Sequence, residues 1–152
     1  MNEQPSMQQR VRLMEPADRV VVAELEAQGR TALLEQRGGP AHLAERAAVG
    51  DWSALLDDPS RAVWVGEIDD VPVGYLELEL RGTTAEVRQV YVHPDAREIG
   101  FGDWLLEAAL AAARELGCTV IEGTALPGDR HTKNLYERAG ITARKITVSK
   151  QL

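Results

Sequence analysis

The sequence predicts an α/β (α+β) domain with a mixed central sheet flanked by helices, and three observations support this. Apolar residues recur at helical spacing from Ala17 to about Glu35, the spacing changes to strand-like alternation between Ala62 and Val92, and helix and strand then alternate to the end. The length of 152 residues fits one domain, read as residues 10–152 behind a flexible polar lead of residues 1–9.

Val11, Leu13 and Met14 form a short first strand, and Pro16 opens a helix. Val21, Val22, Leu25 and Leu33 mark its apolar face, Gly29 is a break that makes two linked helices, and Gly38, Gly39 and Pro40 stop it. Helical pieces follow near Ala41–Ala48 and Trp52–Leu56. Strands are expected at Ala62–Ile68, Val73–Leu80 and Ala85–Val92, separated by turns at Asp69-Asp70 and Arg81–Thr84. This is an antiparallel meander. Trp104, Leu105, Ala108, Ala109, Ala112 and Leu116 define one helical face, with Gly117 as its stop. A strand at Thr119–Thr124, a helix at Asp129–Ala139 ended by Gly140, and a closing strand at Ile141–Val148 complete the chain.

Composition narrows the function. The 44% hydrophobic and 27% charged fractions are ordinary for a soluble fold. A net charge of -7 without a basic run argues against a nucleic-acid partner. A single cysteine, Cys118, permits no internal disulfide. No apolar run approaches membrane-spanning length and the start lacks a signal-peptide core, so a cytoplasmic location is expected. His42, His93 and His131 are scattered, without metal-ligand spacing, so no metal is expected.

The informative segment is Val90-Tyr91-Val92-His93-Pro94-Asp95-Ala96-Arg97-Glu98-Ile99-Gly100-Phe101-Gly102, which runs from a strand through a loop into a helix. The first N–H groups of a helix have no internal partners and carry the positive end of its dipole, so a loop with small residues there admits a phosphate. A tight turn with helix packing explains the two glycines equally well. The dinucleotide-binding fingerprint fails, because Leu105 stands where its third glycine belongs and antiparallel strands precede it.

Arg97 to Gly102 matches in full the Q/R-x-x-G-x-G/A signature of the GNAT superfamily of N-acetyltransferases, which the chain resembles over nearly its whole length. A second match, Leu135-Tyr136-Glu137-Arg138-Ala139-Gly140-Ile141, resembles the end of the family's last helical motif. The chain departs from that motif with Asp129 for the usual Asn, Thr132 for Ala and Ile141 for Phe, and Asn134 lies near enough to substitute for the missing amide. The resemblance implies an acyl-CoA N-acyltransferase fold and an enzyme that moves an acetyl group from acetyl-CoA to a primary amine, on a small molecule or a protein. It implies that the loop amides of Arg97, Glu98, Ile99, Gly100, Phe101, Gly102 and Asp103 hold the cofactor pyrophosphate. Val90, Tyr91 and Val92 would pair with the pantetheine arm, and Asn134 and Tyr136 would also contact the cofactor. A homodimer is compatible with it, and a membrane partner is not expected.

The resemblance also implies roles in acyl transfer, which needs a neutral nitrogen, a donor to the developing oxyanion and an acid for the departing thiolate. The oxyanion donor would be a backbone N–H near Val92 and the acid Tyr136, whose other reading is an aromatic packing its helix. Glu86 matches the placement of a general base, or else pairs with Arg88 on the same strand face, with Glu77 and Glu79 as rivals. Arg130 and Lys133 read as solvated helix charges. The acceptor would be set by the segment from Gly29 to Trp52 and by the closing strand. A binding domain that keeps the fold without turnover is the alternative.

Overall fold

A computed structural model describes residues 8–152. Strand β1 (Gln9–Leu13) begins two residues earlier than expected, so Gln9 belongs to the sheet; the rest of the expected lead, apart from Gln8, lies outside the described residues. A 3-10 turn at Pro16–Asp18 leads into α1 (Arg19–Leu34), followed by α2 (Gly39–Glu45) and α3 (Trp52–Leu56). Strands β2 (Arg61–Ile68), β3 (Val71–Arg81) and β4 (Thr84–Val92) form the meander, and α4 (Phe101–Glu115), β5 (Val120–Gly123) and α5 (Arg130–Arg138) follow.

The five strands lie in sequence order in one sheet, antiparallel from β1 to β4, with β4 and β5 parallel. Alternation along the strands sends their side chains to two separate cores. Leu76, Leu78 and Val87 pack with Phe101, Leu105 and Leu106 of α4 and Leu135 of α5, while Val63, Val65 and Tyr75 pack with Val22 and Leu25 of α1 and Trp52 of α3.

Two expectations need correction. Gly29 does not break α1, which runs straight through it. A Cβ at Gly29 would stand 3.1 Å from the Tyr91 ring, so glycine here lets the helix lie close against β4. The closing strand expected at Ile141–Val148 does not form: Ile141 packs against the core, while Ile146 and Val148 are 83% and 89% exposed. Arg144 and Lys150 flank those two residues on the same alternating face, which leaves too little apolar surface to hold an extra strand.

Candidate active site

The site begins where β4 leaves β5. Their parallel pairing runs only from Thr84 with Val120 to Val87 with Gly123, so β4 continues from Arg88 to Val92 with β3 as its sole strand neighbour among the described residues. A bulge sits at the same point: Leu78 faces Val87 and Glu77 faces Gln89, leaving Arg88 as the extra residue. The bulge shifts the alternation, so Val90 and Val92 follow Ala85 and Val87 onto the α4 face.

The backbone direction beyond the bulge follows from one hydrogen bond. His93 N–H donates to the Val73 carbonyl at 2.7 Å, which makes Gly74 and Val92 a non-hydrogen-bonded pair in an antiparallel ladder. Val90 and Val92 therefore turn their N–H and C=O groups away from β3, into the gap left by β5. The Val92 carbonyl accepts there from Arg97 Nε at 3.0 Å, and the Arg97 guanidinium lies 5.6 Å from the Tyr91 ring centroid. Arg97 thus ties the loop to the end of β4.

The loop itself forms a 3-10 turn at Pro94–Ile99, capped by His93 Nδ1, which accepts from Asp95 N–H at 3.1 Å. Gly100 follows at φ 113°, a conformation that side chains resist. The first bond back into α4 is Trp104 N–H to the Gly100 carbonyl, so the N–H groups of Phe101, Gly102 and Asp103 lie at the positive end of the helix without intrahelical acceptors. The Phe101 side chain is fully buried, which leaves only its backbone for a ligand. Gly102 has a different part from Gly100: a Cβ there would touch Leu135 at 3.4 Å, so alanine fits at this position and only a larger side chain would crowd α5.

Arg97, Gly100, Asp103, His131 and Arg138 line a cleft around the loop, and Arg138 Nε donates to Asp103 Oδ1 at 3.0 Å. Burial, reinforced by the charge of Arg97, lowers the pKa of His131. His131 and Arg138 were not singled out by sequence as part of this cleft, because their helix joins the loop only through tertiary packing. Asn134 is exposed on α5, whereas Asp129 caps that helix by accepting from Thr132 N–H at 3.2 Å and Thr132 Oγ1 at 2.7 Å. The two departures from the motif therefore form a helix cap. Lys133 Nζ donates to the Pro127 carbonyl at 3.0 Å, and Arg130 is exposed.

Tyr136 is 7% exposed and its hydroxyl lies over Gly123, at the end of β5. Burial pushes the phenol pKa well above its ordinary value, the charges of Asp129 and Glu86 add to the rise, and Arg46 opposes it. The phenol is therefore a protonated donor near neutral pH, within electrostatic reach of Glu86.

Glu86 is buried one residue before the end of the β4–β5 pairing. One of its oxygens accepts from Arg46 and the other from Arg81 Nη2, at 2.8 Å. Its partners are thus not Arg88, whose Nε lies 3.7 Å from Glu79 Oε2. Glu77 pairs with Arg61 and accepts from Gln89 Nε2 at 2.9 Å; Glu79 pairs with Arg61 at 2.8 Å.

On the α1 side of β4 lies a cavity of about 420 Å³, bordered by Arg30, His42, Arg46, Arg61, Arg88 and Gln89. The segment expected to set the acceptor does line it, from Arg30 to Asp51. The convergence of four arginines escaped the sequence reading, because Arg30 and Arg46 reach β4 only through the folding of α1 and α2 over the sheet. Among the described residues, no group of three or more His, Cys, Asp or Glu is placed to hold a metal, and no helix is long and apolar enough to cross a membrane.

The site thus joins a mixed sheet, whose β4 and β5 part, to the bare N-terminus of α4. The profile of the Acetyltransferase (GNAT) family matches residues 22–141. The chain belongs to that family. A search of curated proteins finds no match. Among solved structures, the chain is similar to the aminoglycoside N-acetyltransferase AAC(6')-Iy in complex with CoA, at 15% identity and TM-score 0.73, covering 99% of each chain. It is also similar to a transcriptional regulator from Bacillus halodurans, at 20% identity and TM-score 0.72, covering 95% of this chain and 100% of that one. An aminoglycoside acetyltransferase from an uncultured soil metagenomic sample, in complex with trehalose, is similar at 17% identity and TM-score 0.70, covering 95% of each chain. At these identities the likeness is one of fold.

Proposed function

We propose that the protein transfers an acetyl group from acetyl-CoA to a primary amine bound in the cavity beside β4. The observation that carries this reading is the outward direction of the Val90 and Val92 backbone groups, together with the free amides of Phe101, Gly102 and Asp103 at the start of the following helix. An extended amide-containing arm can pair with the strand while its pyrophosphate meets the helix N-terminus and the nearby Arg97 and Arg138.

In this reading the amine nitrogen attacks the thioester carbonyl carbon, and the Val92 N–H stabilises the oxyanion. The amine proton passes to Glu86, which Arg46 and Arg81 hold in place. As the C–S bond breaks, its electron pair stays on sulfur and Tyr136 supplies the proton that makes free CoA. Solvent then reprotonates Tyr136 and relieves Glu86 of its proton.

The test is thiol release from acetyl-CoA across a panel of amines, followed by the mass of the product. A product heavier by one acetyl group supports the reading. CoA affinity without thiol release for any amine would reduce the protein to a binding domain.

A further inference from the structure

The lining of the acceptor cavity is charged, and its charges are unequally matched. Of the carboxylates that border it, Glu77 pairs with Arg61 and accepts from Gln89, while Asp51 and Asp58 are exposed and accept from the neutral N–H groups of Ala54, at 3.0 Å, and Ser60, at 2.9 Å. Behind them, buried Glu26 accepts from Val49 N–H at 3.2 Å and from Gln89 Nε2 at 2.7 Å. Arg46 is paired with Glu86.

Two cations remain. Arg30 has no carboxylate partner among the described residues, and its Nη1 donates to the Arg46 carbonyl at 2.7 Å, which leaves its Nη2 and Nε edge uncommitted. Arg88, the extra residue of the β4 bulge, reaches only Glu79 among the described residues, at 3.7 Å, and shares that oxygen with Arg61, which is closer at 2.8 Å. Half-buried His42 adds no charge to offset: burial and then the charge of Arg46 lower its pKa, with Arg30 and Arg88 acting in the same direction despite Glu45.

We propose that the acceptor is a primary amine that also carries a carboxylate, with Arg30 and Arg88 binding that carboxylate. This rests on the acetyltransferase reading above and names its substrate class. A guanidinium edge matches a carboxylate in geometry and charge, and a partly enclosed cavity strengthens the pair. The cavity is of a size that takes a compound such as an amino acid. A polyamine or an aminoglycoside would instead bring more positive charge against Arg30 and Arg88, with Glu77 and Glu86 already paired to arginines. The same positive surroundings favour the neutral form of the incoming amine, which is the nucleophile.

The experiment uses the CoA-loaded protein and matched pairs of amines: leucine with isoamylamine, phenylalanine with phenethylamine, and lysine with 1,5-diaminopentane. To these are added 3-aminopropylphosphonate and kanamycin. Calorimetry reads binding, and thiol release from acetyl-CoA reads turnover. Within at least one pair, the amino acid should bind about 10 to 100-fold more tightly than its decarboxylated partner. Arg30→Gln and Arg88→Gln should each shrink that ratio, with acetyl-CoA affinity unchanged and the melting temperature reporting that the fold is kept. A stronger response to the phosphonate than to every amino acid would move the anion from carboxylate to phosphate and overturn the proposal as stated. Preference for the carboxylate-free amines or kanamycin, no binding across the panel, or an unchanged ratio in both variants would also overturn it. Carboxylate-dependent binding without thiol release would sink the transferase reading alone.

Discussion

The Tyr136 hydroxyl occupies the space in which any side chain at position 123 would begin: a Cβ on Gly123 would stand 2.3 Å from Tyr136 Oη and 2.6 Å from Cζ. The last residue of β5 thus fixes the depth at which the phenol enters the gap beside β4. Gly123→Ala should displace the ring, lower turnover and destabilise the fold by about 1–3 kcal/mol, the usual range for overpacking. Turnover and denaturant unfolding of the two proteins check this. Wild-type values in both would show that the ring is not held by this contact.

Tyr136→Phe retains the ring and removes the proton. A general acid contributes about 100 to 10,000-fold, and because a CoA thiolate is a fair leaving group, the loss in kcat should lie at the low end. Affinity for acetyl-CoA should barely change. Since burial raises the phenol pKa, the acid form persists above the ordinary tyrosine range, so the pH profile of the wild type should show no loss from this group below about pH 10. Equal kcat in the two proteins would leave Tyr136 as packing only.

The two loop glycines should respond differently. Gly100→Ala places a side chain at φ 113°, which strains the backbone by about 1–3 kcal/mol, and should weaken acetyl-CoA binding as the loop shifts. Gly102→Ala puts its Cβ at 3.4 Å from a Leu135 methyl, an ordinary contact, so fold and binding should both survive. Gly102→Val should crowd Leu135 and lower stability. Melting temperature and cofactor calorimetry across the three variants separate strain from packing, and equal effects of the two alanine substitutions would contradict the distinction.

An ion pair remote from the site sets an acid limit on stability. Hydrogen bonding by Arg12 lowers the pKa of Asp18 below its ordinary 3.8, against the opposing effect of burial. The contribution is therefore present above the unfolded-state pKa and is lost as pH falls through the folded-state value. Asp18→Asn should reduce stability at pH 7 and flatten its fall below about pH 4. Parallel stability curves for the two proteins would show that the pair does not couple to folding.

The motifs that were legible in the sequence are local ones. Arg97 to Gly102 lies on one loop, Tyr136 at a fixed place on one helix, and the strand pattern from Ala62 to Val92 needs only a period of two. What escaped depends on contacts between distant segments. Gly29 looks like a break until Tyr91 is seen against it, and the arginine lining of the cavity draws on α1, the residue that follows α2, β2 and β4 together. The expected strand at Ile141–Val148 had the alternation of a strand but no matching apolar partner to cover it.

The most direct test of the central claim is residue-resolved amide exchange by NMR, with and without saturating acetyl-CoA. Val90 and Val92 face the open side of β4 while Tyr91 is bonded to β3, so cofactor should slow exchange at Val90 or Val92 and leave Tyr91 nearly unchanged. The amides of Phe101, Gly102 and Asp103 should shift in the same titration. Saturation with acetyl-CoA that leaves all five of these amides as they are in the free protein would contradict the account.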